Sequence, residues 1–256
     1  ADSRLYIPPL QRMLLNRLRA LLQFTTILPL GRTVDFSLFA SHTYLYPLSG
    51  YVIGGLAGLT AFWIGIPEIR AAVALIAVLG ITGANHFDGL LDLGDGLMAH
   101  GGSEGRIRAL TDRQIGTGGF AAGCTVLLLT FAALSSLPEI LWALVAAEVL
   151  AKFSMALLTA YGAPFHDGLH AYLYHRAKPW FPFAAGICCL PLVLLPLPYL
   201  PLSGAVLAAL LIPFVLLVIA DRLFGGVNGD VVGASGEITR AVVLCALVLI
   251  PASALF

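Results

Sequence analysis

The stretch Ala71-Ala-Val-Ala-Leu-Ile-Ala-Val-Leu-Gly80-Ile-Thr-Gly-Ala-Asn85-His-Phe-Asp88-Gly-Leu-Leu-Asp92-Leu-Gly-Asp95 joins a long apolar run directly to three aspartates. An apolar run of about 20 residues is long enough to cross a bilayer as a helix. Working outward, comparable runs recur near 44–66, 118–136, 138–161, 180–200, 203–221 and 238–256, with the quoted one at 70–91. Over 256 residues the chain is 59% hydrophobic and 11% charged, with a mean hydropathy of +0.93. A soluble domain carries about 25% charged residues. The pattern therefore excludes a soluble globule. It predicts an all-α polytopic membrane protein of about seven transmembrane helices, forming a single integral-membrane domain over residues 1–256.

Residues 10–30 place Arg12, Arg17 and Arg19 among Leu14, Leu15, Leu18, Leu21 and Leu22. This spacing predicts a helix lying in the membrane interface with its apolar side down. With the N-terminus inside, seven crossings put the loops 92–117, 162–179 and 222–237 on the cytoplasmic face. Arg4, Arg12, Arg17, Arg19, Arg32, Arg106, Arg108, Arg113, Arg176, Lys178, Arg222 and Arg240 then fall inside, and only Arg70 falls outside. That asymmetry satisfies the positive-inside rule and predicts a multi-pass protein of the cell inner membrane with its polar chemistry at the cytoplasmic side. Cationic and acidic residues balance at 14 each, which gives no sign of a nucleic-acid partner. Cys124, Cys188, Cys189 and Cys245 lie in apolar runs without a paired spacing and read as packing residues. No cleavable leader is expected from the first 40 residues.

Asp88, Asp92 and Asp95 follow the spacing i, i+4, i+7. At 100° per residue they span about 60° of arc, so one helix face would carry all three. Clustered carboxylates at a membrane boundary need a cation. Hard oxygen donors without cysteine favour Mg²⁺, Mn²⁺ or Ca²⁺, and Mg²⁺ commonly binds through a few carboxylates plus substrate phosphates. Gly89, Gly94 and Gly96 are expected to let a phosphate ligand approach the backbone. His86 and His100 bracket the cluster, as metal or proton partners or as hydrogen-bonded interfacial histidines. The next segment adds Asp112, Arg106, Arg108, Arg113 and the flexible Gly116-Thr-Gly118-Gly119, whose backbone N–H groups suit a phosphate. Two further polar loops, Tyr161–His170 with Asp167, and Gly225–Glu237 with Asn228 and Asp230, read the same way. Glu148 and Lys152, four apart inside one apolar run, read as a mutually neutralising pair or as groups facing a substrate cavity.

The segment His86-Phe-Asp88-Gly89-Leu-Leu-Asp92-Leu-Gly-Asp95-Gly96 resembles the motif H-x-D-G-x-x-D-x-x-D-G of the cobalamin 5'-phosphate synthase family, also called adenosylcobinamide-GDP ribazoletransferases. Phe24–Pro29, Tyr46–Gly50, Asp112–Gly119 and Gly225–Glu237 are similar to further family stretches in order and spacing. A fourth family segment of the form P-Y-A-R-x-E-G-L-G is shorter here, Pro164-Phe-His-Asp167-Gly-Leu-His170. The resemblance implies a Mg²⁺-dependent transfer. A ribose hydroxyl of α-ribazole or its 5'-phosphate attacks adenosylcobinamide-GDP, GMP leaves and a phosphodiester forms. On this reading Asp88, Asp92 and Asp95 hold the metal, and one of them or Asp112 takes the hydroxyl proton. Arg106, Arg108 and Arg113 steady phosphates, while His86, Gly116, Asp167, Asn228 and Asp230 bind substrate.

Two other classes compete. Asp92-Leu-Gly-Asp95-Gly96-Leu-Met-Ala99 also resembles the first half of the CDP-alcohol phosphotransferase motif, but His100 replaces its Arg and the second half is absent. A transporter is the third reading, since intramembrane acids mark ion paths. Transporter sites sit near the midplane, whereas these acids cluster at a helix end. Helix faces that pack against lipid serve a second copy equally well, which leaves a homo-oligomer open.

Overall fold

The computed structural model describes residues 9–252, and the expectations for Arg4 and for the end of the 238–256 run fall outside that range. The described chain is helical throughout apart from loops. Its order is α1 (Pro9–Thr25), α2 (Phe36–Ala40), α3 (Tyr46–Ala61), α4 (Pro67–Thr82), α5 (Asn85–Met98), α6 (Ser103–Leu110), α7 (Thr117–Ser136), α8 (Ile140–Tyr161), α9 (Leu169–Tyr174), α10 (Phe181–Cys189), α11 (Tyr199–Phe224) and α12 (Gly229–Leu249). Short 3₁₀ turns precede α3 and follow α10.

The all-α membrane class holds, while the number of crossings changes. Among the described residues four helices, α7, α8, α11 and α12, are long and apolar enough to span, which makes up to five spans if α4 and α5 are joined as one broken span. Three of the seven expected crossings fall short for identifiable reasons. The 44–66 run gives α3 of 16 residues, about 24 Å at 1.5 Å per residue. The 180–200 run is interrupted by Pro191 and Pro196, leaving α10 and a 3₁₀ turn. The 70–91 run breaks where Gly83 (φ 65°) and Ala84 (φ 56°) both take the left-handed conformation, and α5 leaves α4 at 94°. A left-handed alanine costs on the order of 1–3 kcal/mol. The segment that follows α1 covers the break: Ile27 N–H donates to the Ile81 carbonyl at 2.9 Å, and the Ile27 side chain lies against Gly83.

The expected loop 222–237 is also mostly helix. α11 ends on left-handed Gly225 (φ 79°), and α12 begins only four residues later with Asn228 as its cap, its Oδ1 accepting from Val231 N–H. Arg240, counted above among the charges on the cytoplasmic side, lies inside α12 and is buried.

α8 is buried on nearly every side and forms the axis around which α3, α10, α11 and α12 pack. Gly50, Gly54 and Gly58 make one face of α3, where an added Cβ would come within 2.5 Å, 2.6 Å and 2.7 Å of α8 atoms. Such small-residue stripes let membrane helices approach backbone to backbone. Between α8 and α12, Arg240 bonds Glu148, and also Glu237 at 2.5 and 2.8 Å. Lys152 lies 3.7 Å from Glu148 and 3.4 Å from Nδ1 of His86. Mutual neutralisation of Glu148 and Lys152 thus extends to a network of two acids and two bases, wholly inside the bundle.

Candidate active site

The site is built where α5 crosses α12. An added Cβ at Gly89 would come within 2.7 Å of the Asp230 carbonyl, and one at Gly233 within 3.2 Å of the His86 Cα. These two glycines let the helices touch through their backbones. Asp88 and Asp92 of α5 and Asp230 of α12 consequently line one cavity of about 520 Å³, together with Thr111, Asp112, Arg113 and Ile115, His166, the stretch Gly168–Ala171 and Asn228. Gly94 and Gly96 likewise receive neighbouring helices: Gly94 meets Gly118 and Ala122 of α7, and Gly96 meets Leu110 and Phe224. The glycines of the motif accommodate neighbouring helices, backbone at Gly89 and Gly94 and side chains at Gly96, where their small size had suggested room for a phosphate.

Asp95 shares the helical face of Asp88 and Asp92 but lies two turns further along, about 10 Å beyond Asp88. There its carboxylate accepts Gly116 N–H at 2.7 Å and Gly119 N–H at 2.8 Å. It closes the free amino end of α7 as a cap would, and it lines a neighbouring cavity of about 340 Å³ instead of the main one. Gly116 is engaged in that same contact. Asp112 borders both cavities, and its Oδ1 accepts from Gln114 N–H at 3.1 Å.

The three arginines separate. Arg113 lines the main cavity. Arg106 turns back and donates to the carbonyls of Gly96 and Leu97 at 3.2 and 2.6 Å, closing the end of α5. Arg108 is exposed and lies 3.4 Å from Glu104. His86 is buried beside Lys152 and faces a smaller inner chamber, and Asp167 is exposed outside the lining of the main cavity. Asn228 donates from Nδ2 to Asp230 Oδ2 at 2.6 Å, fixing that carboxylate while capping α12. Among the described residues, no three His, Cys, Asp or Glu side chains form a ready-made metal cage.

The sequence reading quoted His170 without giving it a role. Its Nε2 lies 2.8 Å from the Gly162 carbonyl. A carbonyl only accepts, so Nε2 carries the hydrogen and Nδ1 is a bare acceptor; that atom is buried without a partner. Burial lowers its pKa below the usual histidine value; the Gly162 carbonyl opposes this, and the neighbouring His166 adds to it. No spacing rule could have found it. The residue is delivered by the 162–168 turn, which is held against α12 by Val227 N–H bonding the Ala163 carbonyl at 2.8 Å. Left-handed Gly226 lets the two segments meet, since a Cβ there would lie 2.5 Å from that carbonyl.

The sequence profile described as cobalamin-5-phosphate synthase matches residues 17–248, which include every element of this site. A protein of Methanocella arvoryzae named adenosylcobinamide-GDP ribazoletransferase is 37% identical, with 90% of this chain and 94% of that protein aligned. A protein of Halorubrum lacusprofundi with the same name is 36% identical over 93% of this chain and 98% of its own length. An Archaeoglobus fulgidus relative, again so named, is 32% identical over 92% and 98%. No solved structure matches the chain. The carboxylate-lined cavity, the motif that builds it and these relatives together place the chain in the cobalamin-5-phosphate synthase family of transferases.

Proposed function

We propose that this protein transfers the adenosylcobinamide-phosphate moiety of adenosylcobinamide-GDP to a ribose hydroxyl of α-ribazole or its 5'-phosphate, releasing GMP, and that it does so with Mg²⁺. The observation that carries the reading is the convergence of Asp88, Asp92 and Asp230 from two helices on one cavity that Arg113 also lines. Among the described ion pairs none neutralises these three acids. A set of hard oxygen donors without a protein cation suits Mg²⁺, which commonly uses one or two carboxylates and takes its remaining oxygens from water and substrate phosphates. A prebuilt three-residue cage is accordingly not required.

Asp88, Asp92 and Asp230 would hold the ion, and Asn228 orients Asp230. When bound, Mg²⁺ neutralises diphosphate charge and lowers the barrier to in-line displacement. Arg113 grips phosphate oxygens through its forked donors. Asp112, bordering the same space, takes the proton of the attacking hydroxyl. Asp95 and Arg106 act on the scaffold, tying the start of α7 and α6, respectively, to α5. The donor phosphate and the hydroxyl are thereby held in one cavity, which is how proximity lowers such a barrier. We place this cavity at the cytoplasmic face of the cell membrane, since α1 carries Arg12, Arg17 and Arg19 beside exposed Met13, Leu14, Leu15 and Leu18. That composition suits an interfacial helix.

The test is GMP release by the detergent-solubilised protein supplied with adenosylcobinamide-GDP and α-ribazole 5'-phosphate. Metal-dependent GMP together with a new cobamide product is expected. A folded preparation that turns over equally in chelator loses the Mg²⁺ part of the proposal, and one that releases no GMP loses the reaction.

A further inference from the structure

A second chamber of about 240 Å³ lies beneath the main cavity, between α1, α3, α5, α8, α9 and α12. The two spaces share one wall, made of Leu169, His170, Gly229 and Asp230. Their linings differ in character. The main cavity presents the charged Asp88, Asp92, Asp112 and Arg113, whereas the inner chamber is faced by Phe24, Tyr46, Met155, Leu173 and Val232 together with the polar but uncharged Asn85 and Thr159 and the buried His86. Its aromatic side is fixed by packing. Phe24 stacks on Phe39 at 4.3 Å, and Tyr46 meets Phe39 edge-on at 5.2 Å.

We propose that the inner chamber seats the flat, uncharged aromatic base of the nucleoside acceptor, leaving its ribose at the His170–Asp230 wall and its reacting hydroxyl in the carboxylate cavity. This rests on the transfer reading above and names the part of the site that selects the acceptor. Size supports it. An apolar cavity of about 150 Å³ accommodates a single benzene ring, so this chamber has room for a fused two-ring heterocycle. It falls below the roughly 300–1,000 Å³ of sites that enclose a whole drug-sized ligand, and the sugar must remain outside. The wall supports it independently. His170 is 4% exposed, its Nε2 is committed to Gly162, and its buried Nδ1 lacks a partner. A buried acceptor left bare is destabilising, and a ribose hydroxyl at the junction would satisfy it.

The experiment measures KM for acceptor and donor separately, using solubilised wild-type enzyme and acceptors with two-ring and three-ring bases. A third ring overfills the chamber, so acceptor KM is expected to rise about tenfold or more while donor KM stays within about twofold. Val232→Phe, which fills the chamber from α12, should impose a similar rise on the two-ring acceptor. Equilibrium dialysis of α-ribazole in the absence of donor gives a readout independent of turnover: binding by wild type, weakened about tenfold by Val232→Phe. If wild type releases GMP but treats two-ring and three-ring acceptors alike, the subsite is wrong and the transfer reading stands. If α-ribazole binds as described but no GMP forms, the transfer reading fails and the subsite stands. Absence of α-ribazole binding to folded wild type overturns the subsite outright.

Discussion

Helix α12 carries acids in two settings about two turns apart, and they have opposite fates. Glu237 is sealed inside the bundle and bonded to Arg240, which also reaches Glu148. Asp230 opens on a cavity with Asp88 and Asp92 and has only the amide of Asn228. The interior group is balanced within the chain, with Glu148 and Glu237 against Lys152 and Arg240. The cavity group is left unbalanced at the place where a cationic or phosphate-bearing ligand can enter. A carboxylate that the protein neutralises itself holds helices together, whereas one it leaves without a cation is available for chemistry.

The comparison breaks most visibly at Arg240. Arg240→Leu leaves Glu148 and Glu237 buried with only Lys152, and removing one side of a buried ion pair costs about 3–5 kcal/mol. Thermal unfolding in detergent should show a large loss of stability or a sharply reduced folded yield. An Arg240→Leu protein as stable as wild type would mean that the interior charges are not mutually required. The opposite behaviour is expected at Asp92. Asp92→Asn should lower turnover by about 10²–10³, the scale of losing one electrostatic contact to a transition state, with little change in melting temperature. Coupled loss of activity and stability there would make the cavity group structural, like its interior counterpart.

The sequence made one half of this contrast legible and hid the other. The motif from His86 to Gly96 marked the acids and their helix because local spacing of 3.6 residues per turn is written in the chain. It could not show that Asp95, on the same face, ends against Gly116 and Gly119, since that depends on where α7 begins in space. Asp230 was marked only as a substrate contact; its place beside Asp92 is created by the Gly89–Asp230 approach, a tertiary event. His170 and the bond between Arg240 and Glu148, 92 positions apart, carry no local signature at all. The class of fold followed from hydropathy, yet the number of crossings did not. Proline and the left-handed pair Gly83–Ala84 break apolar runs that composition reads as continuous.

A subtler perturbation moves the cavity acids without touching them. Gly89→Ala puts a methyl against the Asp230 backbone, which an added Cβ would approach to 2.7 Å. Overpacking of this kind costs about 1–3 kcal/mol, and the shift separates Asp88 and Asp92 from Asp230. Activity should fall more than stability does, and the Mg²⁺ concentration giving half-maximal rate should rise. Gly55→Ala on α3, where an added Cβ meets nothing, is the matched control and should leave both unchanged.

The smallest effects come from the arginines, and they test whether proximity to the unbalanced acids is what matters. Arg113 borders the cavity, while Arg108 is exposed beside Glu104, outside it. Arg113→Gln removes a phosphate-gripping fork and should raise donor KM by about tenfold, the value of one charge-assisted contact of roughly 1.5 kcal/mol. Arg108→Gln removes only an exposed ion pair, a class that contributes about 0–1 kcal/mol, so donor KM should stay within about twofold. Equal effects at the two positions would mean that the donor diphosphate reaches across α6, and the phosphate side of the site would then extend beyond the cavity that α5 and α12 build.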